Sequence, residues 1–272
     1  MQGALDLLLI NFDKDKAIEF CKGMISDLLQ NRIDLSLLVI TKGLSKKVGD
    51  GEGNDDGATY NANLPHVKLA EKMRKRDAAS APNVGDRVAY VVVKGTKGSK
   101  TYEKSEDPIY VLEHNIPIDF VYYIENQIKL PLIRIFEPIF GDSKATELAL
   151  FSGEHTRTIY QPKVASMAGL GRFAVVKESC MSCKNVLPPK CEDVICDNCQ
   201  PKKKQIYIER RLELNMAEKE YGDLWVQCQR CQLSLHQDIL CTSRDCPIFY
   251  RRIKAKKNIT ELSDQMYKLQ EW

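Results

Sequence analysis

Nine of the ten cysteines in this 272-residue chain lie between Cys180 and Cys246, and eight of them fall into two sets with the spacing of metal ligands. In Cys180-x2-Cys183-x12-Cys196-x2-Cys199, each C-x2-C step turns the chain so that both sulfurs face one ion, and the loop between the pairs closes a four-thiolate shell. Cys228-x2-Cys231-x9-Cys241-x4-Cys246 is a second such set, asymmetric in its second pair. Spacing does not choose the metal: tetrahedral sulfur suits zinc and iron-sulfur clusters alike, and Pro247 after the last ligand is only a weak sign of a ferredoxin-type C-P ending. Cys191 reads as a bystander, because moving it into the first shell would break the second C-x2-C step. His236 reads as an ordinary surface or structural histidine, since four thiolates already fill its shell. Cys21 stands alone on an apolar helical stripe and is expected to be a small buried hydrophobe rather than a nucleophile.

Thiols serve as ligands only where they stay reduced. The apolar start Ala4 to Ile10 has no basic residues before it and runs into Asn11, Asp13, Lys14 and Asp15, unlike an export signal. No stretch approaches the roughly 20 apolar residues of a membrane span. The expected compartment is therefore a reducing cytosol or nucleus, where clustered cysteines bind metals rather than form disulfides. With 43% hydrophobic and 28% charged residues, the composition is that of an ordinary globular chain of two domains, neither disordered nor collagen-like. Its net charge of +3 averages two opposed blocks: residues 61–100 hold nine Lys/Arg and three Asp/Glu, residues 101–160 five and ten.

The elements that must position these residues follow from periodicity. Ala17, Phe20, Cys21, Met24 and Leu28 recur at helical steps, which predicts an amphipathic helix over Lys16 to Leu29. Asp34 to Thr41 is a β-like run, and the Gly- and acid-rich stretch Gly49 to Ala58 predicts a mobile surface loop. Leu64 to Asp77 predicts a basic helix, followed through the Pro82 to Asp86 turn by a strand over Val88 to Val93. Asp119 to Leu130 predicts a helix that Pro131 stops or kinks, with a second short helix over Leu132 to Ile139. Residues 141–172 read as a linker or peripheral insert, which puts a domain boundary near residue 170. Lys202 to Gln227 is mostly helical after a short β-like start, and Ile259, Leu262, Met266 and Leu269 continue the pattern in the tail. These apolar helices either dock a protein partner or pack on one another. The expected fold is α+β: a mostly helical first domain with a small β element, then a small helical domain carrying two four-cysteine metal modules.

With these residues in view, the chain resembles, from about Lys16 to Trp272, the C-terminal end of the catalytic subunits of eukaryotic DNA polymerase delta, a group within the family B replicative polymerases. The segments that carry the resemblance are DLLQNRIDLSLLVITKGL, PHVKLAEKMRKRD, PNVGDRVAYVV, EDPIYVLEHNIPID, the two cysteine sets, and LWVQCQRC with CPIFYRR. The resemblance implies that residues 1–30 end the palm, that residues 31–170 form the thumb that grips primer-template duplex, and that residues 171–272 form the C-terminal domain. Lys42, Lys72, Arg74, Lys75, Arg76 and Arg87, with Asn83 and the Gly85 turn, would touch phosphates without reading sequence. Cys180, Cys183, Cys196 and Cys199 would hold zinc and assist contact with the sliding clamp. Cys228, Cys231, Cys241 and Cys246 would hold a 4Fe-4S cluster and anchor the accessory B-subunit. The implied compartment is the nucleus.

Family B polymerases join nucleotides through two metal ions on palm aspartates, one of them in a Tyr-Gly-Asp-Thr-Asp motif. The chain has one Tyr-Gly-Asp, Tyr221 to Asp223, and Leu224-Trp225 follow where a second carboxylate is needed, so it is a decoy. Exonuclease, fingers and most of the palm have no counterpart in these residues. Mg2+ then belongs to the full-length enzyme, and this chain by itself is expected to be inactive. The alternative is a free-standing adaptor that binds nucleic acid and protein through the same parts; a zinc-ribbon transcription factor would leave the thumb-like residues unexplained.

Overall fold

A computed structural model describes residues 2–45, 63–79, 81–96, 98–157, 179–183, 185–187 and 194–270. The expected loop over Gly49 to Ala58 and the bystander Cys191 lie outside the described residues. The chain is mostly helical with one small three-stranded sheet, the expected class. Contacts divide it into two compact units, Met1–Val111 with Asn115–Val164 and Leu112–His114 with Ala165–Trp272.

The first unit opens with α1 (Gln2–Leu9) and α2 (Lys14–Leu29), the latter capped by Asp13, whose side chain accepts from the Lys16 backbone N–H at 3.0 Å. Its stripe of Ala17, Cys21, Ile25 and Leu29 is buried against Ala4 and against Leu132, Phe136 and Leu150 from two later helices. Cys21 is 3% exposed, and burial pushes its thiol upward, so it packs as the hydrophobe its position implies.

The sheet is antiparallel in the order β1-β2-β3, from β1 (Ile40–Gly43), β2 (Arg87–Val92) and β3 (Ser105–Glu106). Only the C-terminal end of the β-like run Asp34 to Thr41 joins it. The Asp34 side chain accepts from the Ser36 N–H at 2.9 Å and closes a 3-10 turn over Leu35–Leu37, so pairing begins at Ile40. The helix α3 (Pro65–Arg76) packs Val67, Leu69, Ala70 and Met73 inward, and β2 is buried from Val88 to Val92, as its unbroken apolar run requires. The short helices α4 (Thr101–Lys104) and α5 (Pro108–His114) flank β3.

The helical run does not stop at Pro131. The chain runs from α6 (Phe120–Tyr123) through a π-helical turn (Ile124–Ile128) into α7 (Lys129–Phe140), and Pro131 sits in the first turn of α7. A wide turn immediately before it accommodates the missing N–H. The expected linker also begins as structure: α8 (Ser143–Phe151) buries Thr146 and Leu150 completely, the latter within the core of α2 and α7. Its two buried residues lie four apart on one face and one of them is a threonine, while Leu148 is exposed, so a count of apolar runs misses it.

The second unit is built on α9 (Lys203–Gln232) and α10 (Pro247–Gln270). Helix α9 starts directly after a 3-10 turn over Gln200–Lys202, without the expected β-like start. Its 30 residues span about 45 Å at 1.5 Å per residue. Ile206 and Leu214 near its start share a core with Met266 and Leu269 near the end of α10, and Arg251 reaches Glu220 at 3.3 Å, so the two helices run antiparallel.

Candidate metal centres and nucleic-acid face

The first cysteine set is assembled from two turns. Cys180 and Cys183 flank a turn held by the Cys180 N–H on the Asn185 carbonyl at 2.7 Å and the Met181 N–H on Val194 at 2.9 Å. Cys196 and Cys199 flank a second, closed by the Cys199 N–H on the Cys196 carbonyl at 2.8 Å, which leads into α9. The four sulfurs all lie within 4.8 Å of one another, and Cys183 Sγ and Cys196 Sγ are 3.5 Å apart. A tetrahedral ion with Zn–S bonds of about 2.3 Å sets its sulfurs about 3.8 Å apart, so the set fits one such ion. Cys180 is fully buried, and the Cys196 N–H donates to its sulfur at 3.4 Å. Burial raises the Cys180 thiol, but the N–H groups of Cys196, Cys183 and Ser182 and the Cys183 thiol together bring it down to about 6. Cys196 is pushed up to about 12, chiefly by its hydrogen bond with Cys183. Thiols packed this closely do not all ionise unless a cation lies among them.

The second set is built differently. Cys228 and Cys231 lie on the last turns of α9, three residues apart and so on one helix face; Cys241 lies in the following loop and Cys246 immediately precedes α10. Helix α9 ends with Leu233 in the left-handed conformation, its N–H on the Arg230 and Gln229 carbonyls, which turns the chain toward Cys241. Among the described residues only the first set brings all its ligand atoms within 4.8 Å, so these sulfurs are more widely spread. Burial raises the Cys228 thiol, Arg252 lowers it, and Cys246 and Cys241 raise it. Arg252, on the second turn of α10, is a residue that sequence reasoning passed over; its place five residues after the Cys246-Pro247 start of a helix was the available signal.

The basic residues divide by what they touch. Lys72 Nζ donates to the Glu103 and Ser105 carbonyls at 2.8 and 2.9 Å and fastens α3 to β3. Burial lowers its pKa most strongly. Arg76 forms a two-pronged pair with Glu106, both contacts 2.8 Å, and lies 3.8 Å from the centroid of the Tyr110 ring; its hydrogen bond to Glu106 holds the guanidinium above its ordinary value. Arg74 and Lys75 are exposed on the outer face of α3. Lys42 and Arg87 are exposed on paired strands, where Gly43 lies opposite Arg87, and Arg87 also donates to Thr41 Oγ1 at 2.8 Å. Asn83 is exposed in the turn before β2, its N–H held by Asp86 at 2.8 Å, and Gly85 takes φ 95°, a conformation that favours glycine. Glu106 and Tyr110, which engage Arg76, lie in the segment EDPIY and carried no sign of that role in their spacing.

Tyr221-Gly222-Asp223 lies within α9, where Tyr221 packs on Trp225 with ring centroids 5.7 Å apart and Asp223 is exposed. No helix among the described residues is long and apolar enough to cross a membrane.

The chain matches the family model of DNA polymerase family B over residues 1–139 and that of the C4-type zinc-finger of DNA polymerase delta over residues 180–252. It is 49% identical over 268 residues to the DNA polymerase delta catalytic subunit of Schizosaccharomyces pombe, covering 98% of this chain and 23% of that relative. The subunit of the same name from Arabidopsis thaliana is 50% identical over 97% of this chain and 23% of its own length, and that of Drosophila melanogaster 43% identical over 100% and 24%. The chain thus spans about a quarter of the length of the curated relatives it matches.

Proposed function

The chain belongs to DNA polymerase family B, and from that premise we propose that it is the C-terminal portion of a replicative, delta-type DNA polymerase. The observation that carries this reading is the order of the two family matches on one chain, polymerase residues first and the four-cysteine finger after them. In this reading residues 1–30 end the palm, residues 31–170 are the thumb, and residues 171–272 are a C-terminal domain that docks the accessory B-subunit and the sliding clamp in the nucleus. The nucleotidyl transfer chemistry, with its Mg2+, belongs to palm and fingers outside these residues.

Cys180, Cys183, Cys196 and Cys199 would hold zinc, whose part is structural: it ties two turns to the start of α9. Cys228, Cys231, Cys241 and Cys246 would hold a 4Fe-4S cluster. Their wider spread supports this, since the ligands of a cluster bind different iron atoms. Protein prepared without oxygen should be brown and contain iron and sulfide; colourless protein with two zinc ions would defeat the cluster.

For the thumb, the exposed Lys42, Arg74, Lys75, Asn83 and Arg87 are the proposed phosphate contacts, while Lys72 and Arg76 act by fixing α3 on β3. Fluorescence anisotropy with a primer-template duplex tests this. Replacing Arg74 and Lys75 by Ala should weaken binding equally on unrelated sequences and flatten the salt dependence by about two phosphate contacts, each worth a slope of about 0.9. An unchanged slope would remove this face from the interface.

A further inference from the structure

One buried charged side chain in the second unit serves neither as a metal ligand nor in an ion pair between helices. Arg252 is only 9% exposed, on the second turn of α10, with its guanidinium carbon 5.9 Å from the centroid of the buried Phe249 ring. A buried guanidinium normally has a carboxylate partner, and Arg252 has no ion pair among the described residues. One arm is satisfied: Nη2 donates to the Cys241 carbonyl at 3.2 Å. The other, Nη1, is buried with no hydrogen-bond partner. The contact with the Cys241 carbonyl places this buried, half-satisfied guanidinium against the backbone of one of the four cysteines of the second set.

Four thiolates carry more negative charge than a divalent ion or an oxidised cluster core neutralises, so the filled second site remains an anion in a partly buried setting. A fixed guanidinium beside it supplies the missing positive charge. Arg252 also braces the loop that carries Cys241 through that residue's own carbonyl. One half of its fork is thus held at the Cys241 backbone, and the other is left without a protein partner beside the same set. We propose that Arg252 is a positioning residue of the second cysteine site, serving as the counter-charge of its metal-bound thiolates. The inference rests on the reading of Cys228, Cys231, Cys241 and Cys246 as metal ligands.

The test compares wild-type chain, Arg252→Gln, Arg252→Lys and Arg251→Gln, each prepared anaerobically with its metals. The readouts are metal and sulfide content and the rate of metal loss to a chelator, with helix content as a check on folding. Arg252→Gln retains a donor for the Cys241 carbonyl but no charge, and should release the second metal roughly 10- to 100-fold more readily, the usual effect of losing a partner of the ligand shell. Arg252→Lys retains the charge and should stay near wild type. Arg251→Gln, which loses only an exposed contact with Glu220, should not differ from wild type. Wild-type retention by Arg252→Gln would overturn the proposal. So would metal loss by Arg252→Lys as severe as in the Gln variant, because charge would then not be the operative property. If Arg252→Gln does not fold, the Lys variant decides alone. A wild-type chain whose second site holds no metal overturns the metal reading as well, and that result is seen before any variant is made.

Discussion

At the scale of single residues, the basic stretch of α3 shows that charge and exposure separate roles a sequence presents as one. Lys72, Arg74, Lys75 and Arg76 are near neighbours, yet Lys72 and Arg76 are bonded to β3 while Arg74 and Lys75 lie exposed. Glu106 is 10% exposed at its side chain, so removing Arg76 strands a carboxylate in a mostly dry setting. A broken pair of fully buried charges costs about 3–5 kcal/mol; because the Arg76 side chain is 39% exposed and water screens part of the loss, Arg76→Ala should cost about 2 kcal/mol. Arg74→Ala and Lys75→Ala should stay within about 0.5 kcal/mol of wild type, as exposed substitutions do. Urea unfolding measures all three, read as a shift in midpoint at constant slope. Equal destabilisation by Arg74→Ala and Arg76→Ala would show that the inward pairing does not anchor the helix.

At the scale of elements, long amphipathic helices were legible in the sequence because their burial is periodic: α2, α3 and the two long helices of the second unit all lie where the 3.6-residue pattern predicts. Failures came where a side chain or a neighbour overrode local preference. Asp34 diverts a β-prone run into a 3-10 turn, a π turn prepares the backbone for Pro131, and α8 depends on the core formed by α2 and α7. In the candidate sites, ligand spacing was legible because it is local. The placement of Cys228 and Cys231 on a helix and the approach of Arg252 were not, since both depend on where α9 ends and α10 begins. Helix α3 also carries a pH-dependent element. His66 is 8% exposed, and burial, followed by the nearby Lys42, holds its pKa below the ordinary 6.5. The unfolded chain therefore binds the proton first as pH falls. The stability contributed by neutral His66 is complete above 6.5 and is lost progressively below it, so the unfolding midpoint should decline through that range. His66→Gln should abolish that part of the decline; an identical pH profile would place its origin elsewhere.

At the scale of the whole molecule, the two units have different sources of stability. The core of the first is apolar, and its Cys21 is packed away from any ligand role. The core of the second includes metal-site residues themselves: Cys180 and Met181 are buried with Ile195, Ile206, Leu214, Met266 and Leu269, and Cys196 and Cys199 pack at its edge. Without a cation the four clustered thiols of the first set either stay protonated or repel, and a core this small has little stability to spare. Removing metal should therefore loosen the start of α9 and the end of α10 while leaving α2 intact. Hydrogen exchange resolved by segment measures this directly. On adding a strong zinc chelator, the amides of Met181 and Cys199, protected by the Val194 and Cys196 carbonyls, should exchange faster, and those around Ile206 and Leu214 should follow. Amides from Ala17 to Leu29 should keep their protection. If Met181 and Cys199 stay protected after metal removal, hydrogen bonds and packing alone hold the turns, and the metal has another purpose. If α2 loses protection to the same extent, the stability of the first unit depends on the metal-bound second unit rather than on its own apolar core.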